Sequence, residues 1–244
     1  MPTPTKRLIQ AEDLYRYERL FDPQISPDGR TVITCVERVD RESEKKYVNL
    51  WLVSTEAGTA RQFTFGNFRD TKPAWSPNGH QIAFLSNRGD EKQSQIYLIP
   101  IDGGEARPLT KMKGDFSQFE WSPDGQQIVC QFRQKDHEAV ERENDPRKKE
   151  LGVVARHITR PKFKFDENGY LPQSRWHVWT IEVAHGTATQ LTDDDSYDEQ
   201  EPHWSPDGTT VSFFSNRSAN PDIDGHLIDL YVVPSTLSLE TNGS

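Results

Sequence analysis

Four copies of one short turn limit what this chain can fold into. Ser26-Pro27-Asp28-Gly29, Ser76-Pro77-Asn78-Gly79, Ser122-Pro123-Asp124-Gly125 and Ser205-Pro206-Asp207-Gly208 each lead into an alternating run: "TVITCVE", "QIAFLS", "QIVCQF" and "TVSFFS". Proline presets φ at the second turn position and Asp or Asn tolerates the third. Glycine takes the positive φ that closes a hairpin. An apolar residue falls three places after every turn glycine (Val32, Ile82, Ile128, Val211), as a half-buried strand requires. Trp75, Trp121 and Trp204 precede three of the turns, and Ile25 holds that place in the first.

The repeat extends further. A second β-rich run follows each turn: "NLWLV", "QIYLI", "HVWTI" and "DLYVV". Trp51, Tyr97 and Trp179 in these runs are followed at fixed distance by Gly58, Gly104 and Gly186, then by Thr64, Thr110 and Thr192. Each full unit therefore reads strand, turn, strand, loop, strand, glycine turn, strand. Four strands at a period of about 46 residues is the signature of a β-propeller blade. The expected fold is all-β, a single partial propeller domain over 1–244 with about four blades of four antiparallel strands. Blade 1 spans about residues 20–65, blade 2 about 70–111, blade 3 about 116–193 with an insertion at 133–175, and blade 4 about 200–244. The fourth repeat has Ser238 where the glycine turn belongs and Ser244 in the threonine's place, so its last strand is expected to be altered or missing.

Recurrence at fixed register is what packing between blades demands, so Trp51, Trp75, Trp121, Trp179 and Trp204 are assigned to core rather than to a ligand. The insertion opens with "RQKDHEAVERENDPRKKE", read as a charged excursion with a short helix that Pro146 interrupts. In it, Lys162-Phe163-Lys164-Phe165 alternates before a turn at Asp166–Gly169. A basic, aromatic hairpin there is either a partner contact or a substrate-facing arm, with an ordinary surface loop as the plain alternative.

Composition excludes several classes. A net charge of −9 argues against nucleic acid or an anionic membrane as main partner. Cys35 and Cys130 lie inside apolar strand patterns and read as reduced core thiols, and the start "MPTPTKRLIQAEDLYRYERL" has no apolar signal core. A cytoplasmic location is expected.

No Gly-x-Ser-x-Gly, His-Glu-x-x-His or Cys-x-x-Cys occurs. Ser43-Glu-Lys-Lys46 matches Ser-x-x-Lys by pattern only, in a charged loop. His157, His177 and His203 read as solvated or strand-surface residues. Asn220-Pro-Asp222-Ile-Asp224-Gly225 begins like a calcium loop, but Tyr231 stands where a bidentate Glu belongs, so an Asx-rich hairpin loop is the expectation. Asp193 to Glu199 reads as an acidic inter-blade loop, and Asn216-Arg-Ser218 is a glycosylation sequon by pattern alone. No catalytic, cofactor-binding or metal residue is assigned, no cofactor is expected, and the chain is expected not to be an enzyme by itself.

The turns, "IYLIPIDGGEARPLT", the opening "LIQAEDLYRYERLFDPQISPDG" and the inserted "HITRPKFKFDENGYL" through "RWHVWTIEV" together resemble one family. It is the N-terminal propeller of bacterial acylaminoacyl-peptidase-like members of the prolyl oligopeptidase family, over residues 8–234, built from TolB-type repeats. The resemblance implies a propeller of typically seven blades that caps a Ser-Asp-His hydrolase domain and gates peptide access. By that resemblance the chain is a non-catalytic module whose partner is the peptide substrate of a parent peptidase. The alternative is a free-standing TolB-like scaffold for another protein. With about four blades, open blade faces and edges imply self-association or a closed smaller ring with altered blade angles.

Overall fold

Each Ser-Pro turn is closed by its own side chains. In the first, Ser26 Oγ donates to Asp28 Oδ1 at 2.6 Å, accepts from Thr31 N at 3.0 Å, and Arg30 N donates to Asp28 Oδ1 at 3.1 Å. The same three bonds recur around Asn78, Asp124 and Asp207. Gly29, Gly79, Gly125 and Gly208 carry φ of 74°, 72°, 71° and 72°, the left-handed region that glycine enters without steric cost.

The computed structural model describes residues 7–166 and 168–236. The chain forms two compact units, Met1–Pro108 and Leu109–Ser244. In the first unit a short 3-10 helix (Ala11–Arg16) precedes two four-stranded antiparallel meanders. One is β1 (Arg19–Ile25), β2 (Thr31–Val39), β3 (Lys46–Ser54) and β4 (Ala60–Gln62); the other is β5 (Thr71–Trp75), β6 (Gln81–Ser86), β7 (Gln95–Pro100) and β8 (Arg107–Pro108). In the second unit, β9 (Gly114–Trp121), β10 (Gln127–Gln134), β13 (Trp176–Glu182) and β14 (Ala188–Gln190) form a third meander. Between β10 and β13 come α1 (His137–Asn144), α2 (Pro146–Leu151), β11 (Lys164–Phe165) and β12 (Gly169–Tyr170). A fourth sheet holds β15 (Glu199–Trp204), β16 (Thr210–Ser215) and β17 (Asp229–Pro234). This is the strand content and pairing of a TolB-type propeller. The expected change in the last strand of the fourth repeat falls mainly on 237–244, outside the described residues.

Inside each unit one sheet packs on the next by one rule. Ile33, Cys35, Leu50 and Leu52 of the first sheet meet Ile82, Phe84, Tyr97 and Ile99 of the second. Val129 and Val178 of the third meet Val211 and Phe213 of the fourth. Trp75 and Trp204 complete these seams and Trp121 and Trp179 are buried, whereas Trp51, also expected in the core, is only half-buried because no sheet of its unit covers that face. Trp75 Nε1 donates to Gln24 O at 3.2 Å, and Trp204 Nε1 donates to Glu120 O at 3.3 Å. The closing threonine of the first and third repeats accepts a backbone N–H, Leu50 N donating to Thr64 Oγ1 and Val178 N to Thr192 Oγ1, both at 2.9 Å.

One recurring feature is absent from the sequence reading. β1, β5 and β15 each slip register in mid-strand, and there Asp22, Lys72 and Glu201 adopt φ of 49°, 52° and 51°. Each precedes a proline (Pro23, Pro73, Pro202), which disfavours the right-handed helical region for the residue before it. The bulge is thus written as an X-Pro pair two residues before the Ile or Trp, in sheets one, two and four. Cys35 and Cys130 are buried free thiols as expected, and burial pushes the Cys35 thiol up to about 12.

Candidate functional site

After β10 the chain leaves the third sheet and returns only at β13, so the insertion must be fixed by its own polar contacts. Pro146 does interrupt the helix, and it also starts a second one. Asp145 caps α2 by accepting from Arg147 N and Lys148 N, and proline at the first helical turn loses no bond. Asp136 shuts the base of the excursion by accepting from Gln173 N at 2.9 Å and Ser174 N at 2.8 Å. Burial pushes the Asp136 carboxyl up, but the Ser174 and Gln173 bonds outweigh it and hold the group below its ordinary value. The tip is the hairpin β11–β12, closed by Leu171 N donating to Phe163 O at 2.8 Å.

The insertion is pinned to the fourth sheet by a four-membered ion network. Arg160 grips Asp222 with Nε to Oδ2 at 2.9 Å and Nη2 to Oδ1 at 2.8 Å. Arg175 Nη1 reaches Asp198 Oδ2 at 3.0 Å and Asp222 Oδ1 at 3.4 Å, while Trp176 N donates to Asp198 Oδ1 at 2.9 Å. The Arg160 hydrogen bonds hold the Asp222 carboxyl below its ordinary value, and the same pairing raises Arg160. Paired forks of this kind fix geometry as well as charge.

These contacts leave a cavity of about 850 Å³ between the hairpin and the fourth sheet. Lys162, Phe165 and Tyr170 line it from the hairpin, Phe214 and Ile228 from the fourth sheet and its loop, and Trp176 from β13. Arg133 lies 4.5 Å over the Trp176 ring and donates to Asp115 at 2.9 Å. A second cavity, about 860 Å³, shares Arg160, Lys162 and Tyr170 and is completed by α1 and segment 153–159. Their walls mix aromatic and charged side chains, and their volumes lie within the range of small-ligand sites.

The structure redistributes the residues singled out in the sequence. Ser43 Oγ donates to Asp40 at 2.7 Å, whereas Lys46 Nζ lies 3.8 Å from Glu37, so the Ser-x-x-Lys pair is not assembled. Asp222, the middle of the calcium-like loop, spends its oxygens on two guanidinium groups. Asn216, the sequon asparagine, donates its side-chain amide to Asp224 O at 2.7 Å. His157 is exposed and His203 is largely so, at 2.8 Å from Glu120.

His177 departs from expectation: it is buried, with Nδ1 at 2.8 Å from Glu199 Oε2. Glu199 was read as part of an acidic loop. It is fully buried, also accepts from Thr192 Oγ1 at 3.1 Å, and has Arg217 at 3.6 Å. The partners lie on three different strand ends, which no local pattern brings together. Sequence reasoning likewise missed Arg160, Arg175, Asp198 and Asp222, which meet across long sequence separations. The available signal was two arginines flanking the hairpin and two aspartates in the loops of the next repeat.

A family model described as the TolB beta propeller domain matches residues 17–164. The uncharacterized peptidase YuxL of Bacillus subtilis (strain 168) is 37% identical over 89 residues, which is 36% of this chain and 14% of the relative. Dipeptidyl-peptidase 5 of Porphyromonas gingivalis is 30% identical over 91 residues, 37% of this chain and 13% of the relative. The matches thus span only a small part of each relative. Among solved structures, an acylaminoacyl peptidase in complex with Z-Gly-Gly-Phe-chloromethyl ketone superposes with TM-score 0.69 at 15% identity, over 90% of this chain and 31% of that one. Pyrococcus horikoshii acylaminoacyl peptidase gives 0.63 at 15%, over 83% and 28%. At such identity the likeness is one of fold.

Proposed function

The chain belongs to the TolB β-propeller domain family, and from that membership we propose that it is the non-catalytic propeller module that gates substrate entry in an acylaminoacyl-peptidase-like serine peptidase. The observation that carries this reading is the 37% identity to a Bacillus peptidase over 89 residues that make up 14% of that relative. The matched stretch corresponds to propeller. The absence of Gly-x-Ser-x-Gly from all 244 residues agrees with a chemistry located elsewhere. The insertion cavity supports the reading physically. A pinned hairpin with aromatic and basic walls offers a peptide-sized recess without a nucleophile, base and oxyanion donors brought together. In this reading the partner is a peptide on its way to a hydrolase. Cytoplasmic residence belongs to the same proposal, supported by the two unpaired thiols.

Two measurements test it. The messenger RNA is sequenced beyond the Ser244 codon, and the 244-residue chain is assayed on an N-acetyl amino-acid p-nitroanilide. An in-frame hydrolase bearing Gly-x-Ser-x-Gly, with no turnover by the chain itself, is the expected result. A stop codon directly after Ser244 would sink the gating role and leave the free-standing interaction scaffold. Turnover that a covalent serine inhibitor abolishes would overturn the non-catalytic assignment.

A further inference from the structure

The arginines that pin the insertion are saturated, but the cations at its tip are not. Arg156 sits 4.3 Å and Lys164 5.6 Å from the Tyr170 ring centroid, and Lys162 sits 5.1 Å from that of Phe165. Among the described residues none of these three has a carboxylate within ion-pair distance; aromatic faces hold them instead. Phe163 and Tyr170 add a ring pair at 6.4 Å. The rings themselves remain half-exposed: Phe163 41%, Phe165 43%, Tyr170 47%.

Arg156, beside the hairpin, and Lys162 and Lys164 on it gather around one aromatic cluster in a chain whose net charge is −9. Lys45, Lys135 and Lys148, by contrast, each have a carboxylate partner. Cations held on aromatic faces rather than by carboxylates stay available to a small anionic group, while the net negative charge of the chain repels polyanions. The ridge also lies between two cavities of about 850 and 860 Å³, with Lys162 and Tyr170 lining both. A single small anion has no use for that much aromatic wall, and a nucleic acid requires a basic face broader than three cations.

We propose that this hairpin is a binding ridge for short acidic peptides, with Arg156, Lys162 and Lys164 taking carboxylates and Phe165, Tyr170 and Phe214 packing apolar or aromatic side chains between them. The inference rests on the peptide-gating reading and names its substrate preference. The two fail separately, because the downstream coding sequence decides the first and a direct binding measurement decides this one. Arg160 and Arg175 set the position of the ridge and do not themselves meet the peptide's charge, since Asp222 and Asp198 already occupy them.

The experiment is fluorescence anisotropy on the full chain with two rhodamine-labelled probes, acetyl-Glu-Phe-Asp-Phe-Glu and acetyl-Lys-Phe-Lys-Phe-Lys, at low and high salt. The acidic probe is expected to bind about tenfold more tightly at low salt, and salt should shrink the difference. The double variant Lys162→Glu/Lys164→Glu should lose about tenfold in affinity for the acidic probe with an unchanged melting temperature. The double variant Lys162→Arg/Lys164→Arg should retain it, and Tyr170→Ala should weaken both probes. Equal affinity for the two probes, indifference to charge reversal, or tighter binding of a single-stranded oligonucleotide of similar length would each overturn the proposal.

Discussion

Asp70 and Glu199 occupy the same place in the second and fourth sheets, five residues before the tryptophan, and both are fully buried. Asp70 accepts from Ser86 Oγ and Arg88 Nη2, each at 2.6 Å, and Arg88 lies over the rings of Phe68, Phe84 and Tyr97. Glu199 draws instead on His177, Thr192 and a looser Arg217, which lies over Tyr197, Phe213 and Tyr231. So the arginine that ends each Ser-Asn-Arg, at 86–88 and 215–217, faces a buried carboxylate amid aromatic rings; Ser86 also donates to that carboxylate, whereas Ser215 donates to the Asp198 carbonyl. Removing one partner of a buried pair strands the other, at a cost of roughly 3–5 kcal/mol. Arg88→Met should therefore cost about 3 kcal/mol in denaturant unfolding, and Arg217→Met only about 1, because Glu199 keeps two other donors. Equal losses would contradict the difference in wiring. The turn aspartates make a second residue-scale prediction. Ser205, then Thr209, lower the Asp207 carboxyl to about 2, against about 3.9 in an unfolded chain. A depressed folded value contributes stability above the unfolded one and loses it as pH falls from about 4 towards 2. Asn78 makes the same turn without charge, so Asp207→Asn should melt within a degree or two of the parent at pH 6 and decline less below pH 4. Asp207→Ala, with no acceptor, should melt lower at both.

At the scale of elements, the chain's legibility follows the range of its interactions. Turns and strands were readable because Ser26, Asp28 and Gly29 act within five residues of one another, and sheet alternation has a period of two. The X-Pro bulges at Asp22, Lys72 and Glu201 were equally local, but a positive φ at a residue other than glycine has no compositional mark. The candidate site was mostly illegible. Arg160 and Asp222 are separated by 62 residues, and only the docking of the insertion on the next sheet brings them together. His177 looked like a strand-surface residue because its partner, Glu199, sits among six acidic or polar neighbours that suggest solvent. This reliance on one long-range fork predicts how the insertion fails. Arg160→Met removes the fork while Arg175 still holds Asp222, so the sheets should keep their circular dichroism and melting temperature. The hairpin should loosen, with trypsin cleaving after Lys162 and Lys164 about tenfold faster than in the parent. Unchanged cleavage would show that Asp136 and the hairpin's own bonds suffice.

For the whole molecule, the packing rule inside the units marks one face as incomplete. Leu50 and Leu52 of the first sheet are 0% and 4% exposed beneath the second, and Val178 of the third is 0% exposed beneath the fourth. The same positions in the fourth sheet are Leu230 and Val232, exposed at 60% and 59%. An apolar face of that make-up seeks another blade. We propose that, when the 244 residues are produced alone, a second copy supplies it through its first sheet, where Val32, Trp51 and Val53 stand at the positions of Ile82, Tyr97 and Ile99. The contact is heterologous, head to tail, so it propagates or closes into a ring rather than stopping at a symmetric pair. It should also be weak, for a stated reason. In both internal seams a tryptophan indole donates to the carbonyl just before the preceding sheet's turn tryptophan or its equivalent, and the first sheet offers Ile25 there instead. Light scattering across concentration should therefore show growth in mass at about 10–100 µM, abolished by Leu230→Asp at unchanged melting temperature. Ile25→Trp supplies the missing donor for the carbonyl of His203 and should move the onset about tenfold lower. A parent that stays monomeric throughout, or an Ile25→Trp variant no tighter than the parent, would show that the seam geometry does not carry over between molecules.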